Sequence, residues 1–246
     1  MFADSHCHLY EFENPVEIVS AAKKENVQKI VSCAVGMESM RKSMDFSEIE
    51  GVFNCFGVHP ANCLSMNEME IEKALEFIES NSKKCIGIGE IGLDFKYAQS
   101  FGQKEKQISL FKKQIALSEK LDLPIVVHSR MARKECVELL LENNAEKVLL
   151  HWFSGSKSLL EKIVEKNFFI SVGPSVMFNG FSNDFVREIP LQNLLLETDS
   201  PVMFSGKKSF PQWIPKVAEK VAELKKVSIG EIEKETFKNA QNLFGF

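Results

Sequence analysis

The chain has 246 residues, of which 44% are hydrophobic and 26% are charged, and its formal net charge is −4. This composition excludes a disordered chain and is typical of a folded globular protein with a large core. It also excludes a nucleic-acid-binding surface that depends on a general excess of basic residues. Binding of a polyanion would therefore need a local cause, such as metal ions.

Cysteine usage and apolar runs give an expectation for the compartment. The six cysteines, at positions 7, 33, 55, 63, 85 and 136, form no Cys-x-x-Cys pair, so we expect free thiols in a reducing environment. The amino terminus lacks a basic segment followed by an apolar stretch, and no apolar run approaches the roughly 20 residues that span a bilayer. We therefore expect a cytoplasmic protein without a membrane segment. The sequence leaves the oligomeric state open, and we favour a monomer.

Eight short apolar segments have strand character, and the segments between them have helical spacing. The predicted strands cover residues 2–9, 29–36, 52–60, 85–94, 124–130, 148–155, 168–175 and 194–201. In the fourth connection, Ile108, Phe111 and Ile115 follow steps of three and four, as on the buried face of a helix. These alternations predict a single-domain (β/α)₈ TIM barrel over residues 1–246. A doubly wound open sheet is the structural alternative.

Polar residues with useful chemistry lie late in most of these predicted strands. They are His6, His8, His59, Glu90, Asp94, His128, Arg130, His151 and Asp199. In a barrel the carboxyl ends of the strands form one face, where active sites are found. Strand eight would lie beside strand one and bring Asp199 to His6 and His8. The His-x-His spacing places those two side chains on the same side of the first strand.

Strands four, five and six would be neighbours and would group Glu90, His128 and His151. Four histidines, one glutamate and one aspartate offer the mixed nitrogen and oxygen ligands that suit zinc, manganese or another divalent ion. Six ligands exceed the needs of one tetrahedral ion, so we predict two ions with Glu90 as the bridge. Taken singly, each residue has a structural explanation, for example a buried Glu90 paired with Arg130. Taken together, so many polar groups in strands favour a functional site.

The same residues lie in motifs that resemble, in order and over nearly the whole chain, those of the TatD family of metal-dependent deoxyribonucleases. The motifs are Asp4-Ser5-His6-Cys7-His8-Leu9, Gly57-Val58-His59-Pro60, Gly89-Glu90-Ile91-Gly92-Leu93-Asp94-Phe95, His128-Ser129-Arg130, His151-Trp152-Phe153-Ser154-Gly155 and Leu196-Glu197-Thr198-Asp199-Ser200-Pro201. Each motif alone is weak, whereas the full ordered set is specific. The resemblance implies an amidohydrolase-type TIM barrel.

The resemblance also implies roles for individual residues. His6, His8 and Asp199 would hold one ion and His128 and His151 the other, with Glu90 shared; the ions would be Zn, Mg or Mn. His59 and Arg130 would contact substrate phosphate. The sequence departs from the family pattern at Trp152, where a cysteine is common, and at Met131, where an acidic residue is common. It also departs in the loop after Asp199, which reads Val-Met-Phe-Ser-Gly-Lys-Lys-Ser-Phe-Pro over residues 202–211.

Hydrolysis of a phosphodiester bond of DNA by a metal-activated water, in exonuclease mode, is the predicted reaction. Two ions would stabilise the attacking and leaving oxygens and lower the pKa of a bound water toward about 7. Asp199 is the candidate proton acceptor, and Glu90 is the second residue assigned to catalysis. On the polymer, Lys207 and Lys208 would meet phosphates. The rings of Phe204, Phe210 or Trp213 would stack on bases, although the same residues could equally be solvated or part of the core.

Two other functions stay open at this stage. One is an amidohydrolase-type enzyme that acts on a small ester, lactone, cyclic amide or aminoacyl-nucleotide. Relatives with that chemistry bridge their metals with a modified lysine in strand four, where this chain has Glu90, and Lys96 lies beyond the predicted strand. The other is a non-catalytic metal-binding barrel, which loss of a ligand would favour. Fold alone does not choose between these functions.

Overall fold

Eight parallel strands form the centre of the molecule in a computed structural model that describes residues 1–178 and 183–246. They lie side by side in chain order, so each strand pairs with the next strand along the chain. The strands are β1 Phe2–Cys7, β2 Val27–Cys33, β3 Val52–Phe56, β4 Gly87–Asp94, β5 Ile125–Arg130, β6 Val148–Leu150, β7 Phe169–Val172 and β8 Leu194–Leu196. A two-stranded antiparallel hairpin, β9 Met203–Phe204 and β10 Lys207–Lys208, follows β8.

Helices connect successive strands and cover the outside of the sheet. They are α1 Pro15–Lys24, α2 Met37–Ser43, α3 Pro60–Cys63, α4 Glu68–Ser80, α5 Phe101–Leu121, α6 Arg133–Glu142, α7 Lys157–Glu165, α8 Ser175–Phe178, α9 Asn183–Glu188, α10 Ile214–Lys225 and α11 Ile229–Phe244. Local chemistry fixes several of their starts. Asn67 and Glu70, for example, form a reciprocal capping box at the start of α4.

Hydrogen bonds between the first and last strands bring the two edges of the sheet together. The hydroxyl of Ser5 donates to the carbonyl oxygen of Leu196 at 2.8 Å. Beyond the strand ends, the amide of Asp199 donates to the carbonyl of His6 at 3.0 Å, and the amide of His8 to that of Ser200 at 2.7 Å. The predicted TIM barrel is therefore confirmed, and the open doubly wound sheet is wrong.

The predicted strands begin within two residues of the observed ones, but several end too late. Predicted strand 52–60 ends at Phe56, and predicted strand 148–155 ends at Leu150. His8, His59, His151 and Asp199 consequently lie on loops directly after strands rather than inside them. The apolar composition continues into these loops, so hydrophobicity alone does not mark the point where pairing stops.

The core has an outer layer between strands and helices and an inner layer within the barrel. Val31, Cys55, Val126 and Leu149, from neighbouring strands, pack in one buried cluster with α11 residues such as Phe244. The carboxyl-terminal Phe246 stacks on Phe53 near the start of β3, at 4.8 Å between ring centroids. Helix α11 therefore packs at the amino-terminal end of the barrel and leaves the carboxyl-terminal end for the polar residues.

All six cysteines are buried and unpaired, as predicted. Among the described residues, no helix has both the length and the hydropathy required to cross a membrane.

Two buried glutamines of α5 hold the strand ends that carry polar residues. Gln114 accepts a hydrogen bond from the amide of Val58 at 2.8 Å and donates to its carbonyl at 3.1 Å. Gln107 accepts from the amide of Asp94 at 2.9 Å and donates to the carbonyls of Pro60 and Asp94 at 3.0 and 3.2 Å. Side-chain amides thus satisfy backbone groups that the sheet does not pair.

We expect Gln107→Leu to lower the free energy of unfolding by about 1–3 kcal/mol, because it leaves buried backbone groups without partners. Urea titration followed by circular dichroism measures the change. Gln99→Leu, at an exposed position just before the same helix, is the matched control and should change stability by less than about 0.5 kcal/mol. Equal stability of the two variants would contradict a structural role for Gln107.

Candidate metal centre

The six predicted metal ligands meet at the carboxyl-terminal end of the barrel. His6 comes from β1, Glu90 from β4 and His128 from β5, and the other three follow the ends of β1, β6 and β8. His6, His8, Glu90, His151 and Asp199 are at most 7% exposed. Their potential ligand atoms form overlapping groups, within each of which all atoms lie within 4.8 Å of one another. The spatial convergence predicted from the sequence is therefore present.

The first group surrounds Asp199. The Nε2 atoms of His6 and His8 each lie 3.3 Å from Asp199 Oδ1. The same two nitrogens lie 3.7 and 3.4 Å from Glu90 Oε2. His8 is oriented by its other nitrogen, since Nδ1 lies 2.8 Å from the carbonyl oxygen of Cys33 and donates to it. Nε2 of His8 therefore faces the carboxylates and, in the neutral ring, carries the lone pair that can bind a metal ion.

The second group surrounds the other oxygen of Glu90. Oε1 lies 2.8 Å from His128 Nδ1 and 2.9 Å from His151 Nε2. These two histidine nitrogens are 3.2 Å apart. Glu90 thus directs one carboxylate oxygen toward each group of histidines.

One buried nitrogen without a hydrogen-bond partner indicates that this donor set fits divalent metal ions. Nε2 of His6, the ring nitrogen that faces Asp199 and Glu90, lacks a hydrogen-bond partner within the described part of the chain. An unsatisfied buried nitrogen is costly in a protein interior, whereas a neutral imidazole nitrogen is a preferred metal ligand. Imidazole and carboxylate ligands together suit zinc, manganese and related ions.

The pKa values show how strongly these groups interact. Burial opposes ionisation of Glu90, but the charge of His151 and hydrogen bonds from His128 and His151 lower its pKa well below the ordinary value. Burial also disfavours a charged His8, yet the hydrogen bond to Asp199 and the charge of Glu90 raise its pKa to about 9. Protons and metal ions consequently compete for the same nitrogens.

His59 lies next to the second group but is held differently. Its Nδ1 accepts a hydrogen bond from the amide of Ala61 at 3.1 Å and so caps helix α3. Nε2 lies 3.6 Å from Glu90 Oε1. Burial, partly offset by the charge of Glu90, lowers the pKa of His59 to about 4. At neutral pH the ring is therefore uncharged, with its proton on Nε2 and facing the site.

Arg130 is anchored by Asp94, a residue to which the sequence assigned no role. Nε and Nη2 of Arg130 donate to Asp94 Oδ2 at 2.9 and 2.6 Å. His128 Nε2 lies 3.1 Å from the same oxygen. Burial opposes the charge of Asp94, but hydrogen bonds from His128 and Arg130 lower its pKa to about 2. Asp94 therefore orients both a predicted ligand and a predicted phosphate contact.

Sequence reasoning missed Glu197, which lies behind His151. Its side chain is fully buried, and Oε2 accepts a hydrogen bond from Ser171 Oγ at 2.5 Å. His151 Nδ1 lies 3.7 Å from the same oxygen. The sequence signal for Glu197 was its position directly after three leucines, because an acidic side chain next to so apolar a strand needs a buried partner.

A cavity of about 820 Å³ opens over the candidate metal centre. Its lining includes His8, His59, Glu90, His128, His151 and Asp199, together with Tyr97, Arg130, Arg133 and Trp152. The predicted partners in the loop after Asp199 do not line this cavity: Lys207 and Lys208 lie exposed in the hairpin. The volume fits a substrate of about nucleotide size.

The three aromatic residues predicted to stack on bases each pack against another aromatic ring. Phe204 is buried and lies 5.0 Å from Trp152 between ring centroids. Phe210 packs on Phe12 at 5.7 Å, and Trp213 packs on Phe178 at 6.2 Å. Phe204 is therefore part of the core, whereas Phe210 and Trp213 are half-buried, and stacking of these two rings on bases stays a prediction.

We expect metal binding at pH 7 to release protons, because a pKa of about 9 keeps His8 protonated until an ion displaces the proton. Affinity should rise with pH and level off above about 9, where the ring is already neutral. Calorimetric titration in two buffers of different ionisation enthalpy measures the protons released. Identical apparent enthalpies in both buffers would contradict the prediction.

We expect Glu197→Gln to weaken metal binding by about 10–100-fold, because the amide no longer supports His151 as a basic ligand. Titration of the metal-free protein with Zn²⁺ or Mn²⁺ measures this change directly. Glu219→Gln, an exposed position on α10, is the control and should leave affinity unchanged. If the two variants bound metal equally, Glu197 would have no role in orienting His151.

Comparison with known proteins identifies the family. The family model described as TatD related DNase matches residues 3–245. Human deoxyribonuclease TATDN3 is 37% identical, over 98% of this chain and 93% of that protein, and the uncharacterized metal-dependent hydrolase YabD of Bacillus subtilis is 34% identical over 99% of each. The crystal structure of YJJV, a TatD homolog from Escherichia coli K12, superposes with a TM-score of 0.90 at 27% identity, over 100% of this chain and 98% of that one. The chain therefore belongs to the TatD related DNase family.

Proposed function

We propose that this protein is a divalent-metal-dependent hydrolase that cleaves phosphodiester bonds of DNA. The observation that carries the proposal is the geometry of Glu90, whose two oxygens face two separate groups of histidines at 2.8–3.7 Å. The family match and the name of the human relative, a deoxyribonuclease, support DNA as the substrate. Residues 1–246 form one hydrolase domain in this proposal.

Two ions complete the proposed site. His6, His8 and Asp199 would hold one ion, His128 and His151 would hold the other, and Glu90 would be shared between them. Divalent ions of this kind, Zn, Mg or Mn, stabilise negative charge on phosphate oxygens and make water acidic enough to supply a nucleophile at neutral pH. The distances between the donor atoms are compatible with both ions sharing one carboxylate.

Asp199 is the residue to which we assign the proton of the attacking water. Its Oδ1 contacts His6 and His8, and Oδ2 is the oxygen we assign as acceptor. Burial raises the pKa of Asp199, but the two imidazoles 3.3 Å from Oδ1 outweigh it and hold the pKa below its usual range, so the carboxylate is unprotonated when substrate arrives. A positioned base of this kind contributes about 10²–10⁴-fold to a rate.

His59 and Arg130 are the proposed contacts to substrate phosphate. His59 is neutral with a proton on Nε2, so it donates a hydrogen bond without adding a charge that would repel the metal ions. Arg130 keeps a free Nη1 group because Asp94 engages Nε and Nη2. Both side chains line the cavity above Glu90. They supply two donors of fixed direction to a tetrahedral anion.

The two alternative functions have less support. A lysine-bridged amidohydrolase centre would need lysine in β4, whereas the residue between the two histidine groups is Glu90. A binding protein without activity would be favoured by the loss of a ligand, and all six predicted ligands converge. Exonuclease mode, a cytoplasmic location and a monomeric state are predictions from the sequence that we keep within this proposal.

The experiment that tests the proposal is incubation of the protein with end-labelled single-stranded and duplex DNA. Parallel reactions contain Mg²⁺, Mn²⁺, Zn²⁺ or a chelator. We expect cleavage that depends on metal, and a ladder that starts from one end would support exonuclease mode. No cleavage with any of the three metals would overturn the proposal.

We expect Asp199→Asn to lower kcat by about 10²–10⁴-fold, because the amide cannot accept a proton. Glu90→Gln should reduce activity at least as much, since it also removes the shared ligand charge. Both variants should keep wild-type circular dichroism, with Glu219→Gln as the control. A wild-type rate for either variant, measured with buffers free of contaminating enzyme, would contradict these roles.

A further inference from the structure

Trp152 has an unusual position for a large aromatic residue. It directly follows the predicted ligand His151, is 40% exposed and lines the same cavity as Glu90 and Asp199. Its φ of +42° lies in the left-handed region that residues other than glycine rarely adopt. Such a conformation is costly and is often found where function requires a particular side-chain direction.

The indole ring is held in place from behind. Its Nε1 donates a hydrogen bond to Ser175 Oγ at 3.1 Å. Phe204, only 6% exposed, lies 5.0 Å away between ring centroids at an interplanar angle of 48°. With its polar atom satisfied and one side supported, the ring loses little freedom when a ligand binds to its exposed part.

The same cavity contains groups that recognise an anion. The guanidinium of Arg130 lies 4.8 Å from the ring centroid of Tyr97, which is 52% exposed. Arg133, at the start of α6, is exposed on the cavity wall. Flat aromatic surface next to cationic donors and a metal-binding group matches a ligand that combines a planar base with a phosphate, namely a nucleotide unit.

We propose that Trp152 stacks on an unpaired base next to the scissile phosphate and so contributes to the affinity for the nucleotide unit in the cavity. This inference rests on the proposed function. A base inside a duplex is stacked on both sides and paired, and its face becomes accessible only when the strand is open. The supported ring of Trp152 replaces the lost neighbour in the stack.

A fluorescence experiment tests the contact without depending on turnover. The chain has two tryptophans, so Trp213→Phe leaves Trp152 as the sole indole. This variant, loaded with Mn²⁺ or Zn²⁺, is titrated with a cleavage-resistant phosphorothioate oligothymidylate and with a blunt duplex of equal length. We expect strong quenching by the single strand and little by the duplex. Binding of the single strand, seen by anisotropy of a labelled oligomer, without quenching would overturn the proposal.

A kinetic experiment tests the consequence for specificity. Trp152→Ala should raise KM for single-stranded DNA about tenfold, equivalent to about 1.4 kcal/mol, which is within the range of base–aromatic stacking. Hydrolysis of bis(4-nitrophenyl) phosphate, which lacks a base, should change less than about twofold, and Trp152→Phe should restore most of the KM. Phe101→Ala is the control, because Phe101 is 80% exposed at the same end of the barrel but does not line this cavity.

The two proposals fail separately. If the wild-type protein cleaves single-stranded DNA and Trp152→Ala behaves like Phe101→Ala, the stacking role is wrong and the proposed function stands. If no DNA is cleaved, the proposed function is wrong, and the quenching titration alone decides whether Trp152 binds bases.

Discussion

The position of Glu90 is the constraint on which the rest of the site depends. Its carboxylate is 3% exposed and yet ionised, because its pKa is lowered by the surrounding histidines. A buried anion of this kind is tolerated only when positive charge is close. Protonated histidines or bound metal ions can supply that positive charge. A metal ion would displace the protons from the histidine nitrogens that bind it. The site is therefore arranged around a negative charge that requires neighbouring cations, which explains why ligands come from so many strands.

A second layer of side chains keeps the ligands in position. The Cys33 carbonyl orients His8, Asp94 orients His128, and Glu197 lies behind His151. Gln107 in turn fixes Asp94 at the end of β4 to α5, and Gln114 fixes Val58, next to His59, to the same helix. Each layer satisfies polar atoms that burial would otherwise leave unpaired. The strand ends supply a rigid backbone for the ligands. A displacement of one ligand side chain would also strain its hydrogen bonds to the neighbouring groups.

The sequence predicted the strands and the six converging residues well, because apolar runs and their order along a barrel are local or topological properties. The sequence could not predict where strand pairing stops, because apolar residues continue from β3 and β6 into the loops that follow them. The roles of Asp94 and Glu197 depend on partners 26 to 46 residues away along the chain. Asp94 contacts His128, 34 residues away, and Glu197 contacts Ser171, 26 residues away. The packing of Phe204 and Trp213 likewise depends on tertiary contacts that no local pattern encodes.

The segment after Asp199 departs most from the resemblance, and its fold connects it to the cavity. Ser205 and Gly206 have φ values of +49° and +75°, as a two-residue hairpin turn requires, and they place β9 beside β10. The hairpin buries Phe204 against the back of Trp152. A change in this loop thus alters the support of an aromatic ring at the cavity rather than the ligands themselves. Substrate preference can vary through the hairpin while the metal-binding residues stay the same, because the two are built on different parts of the chain.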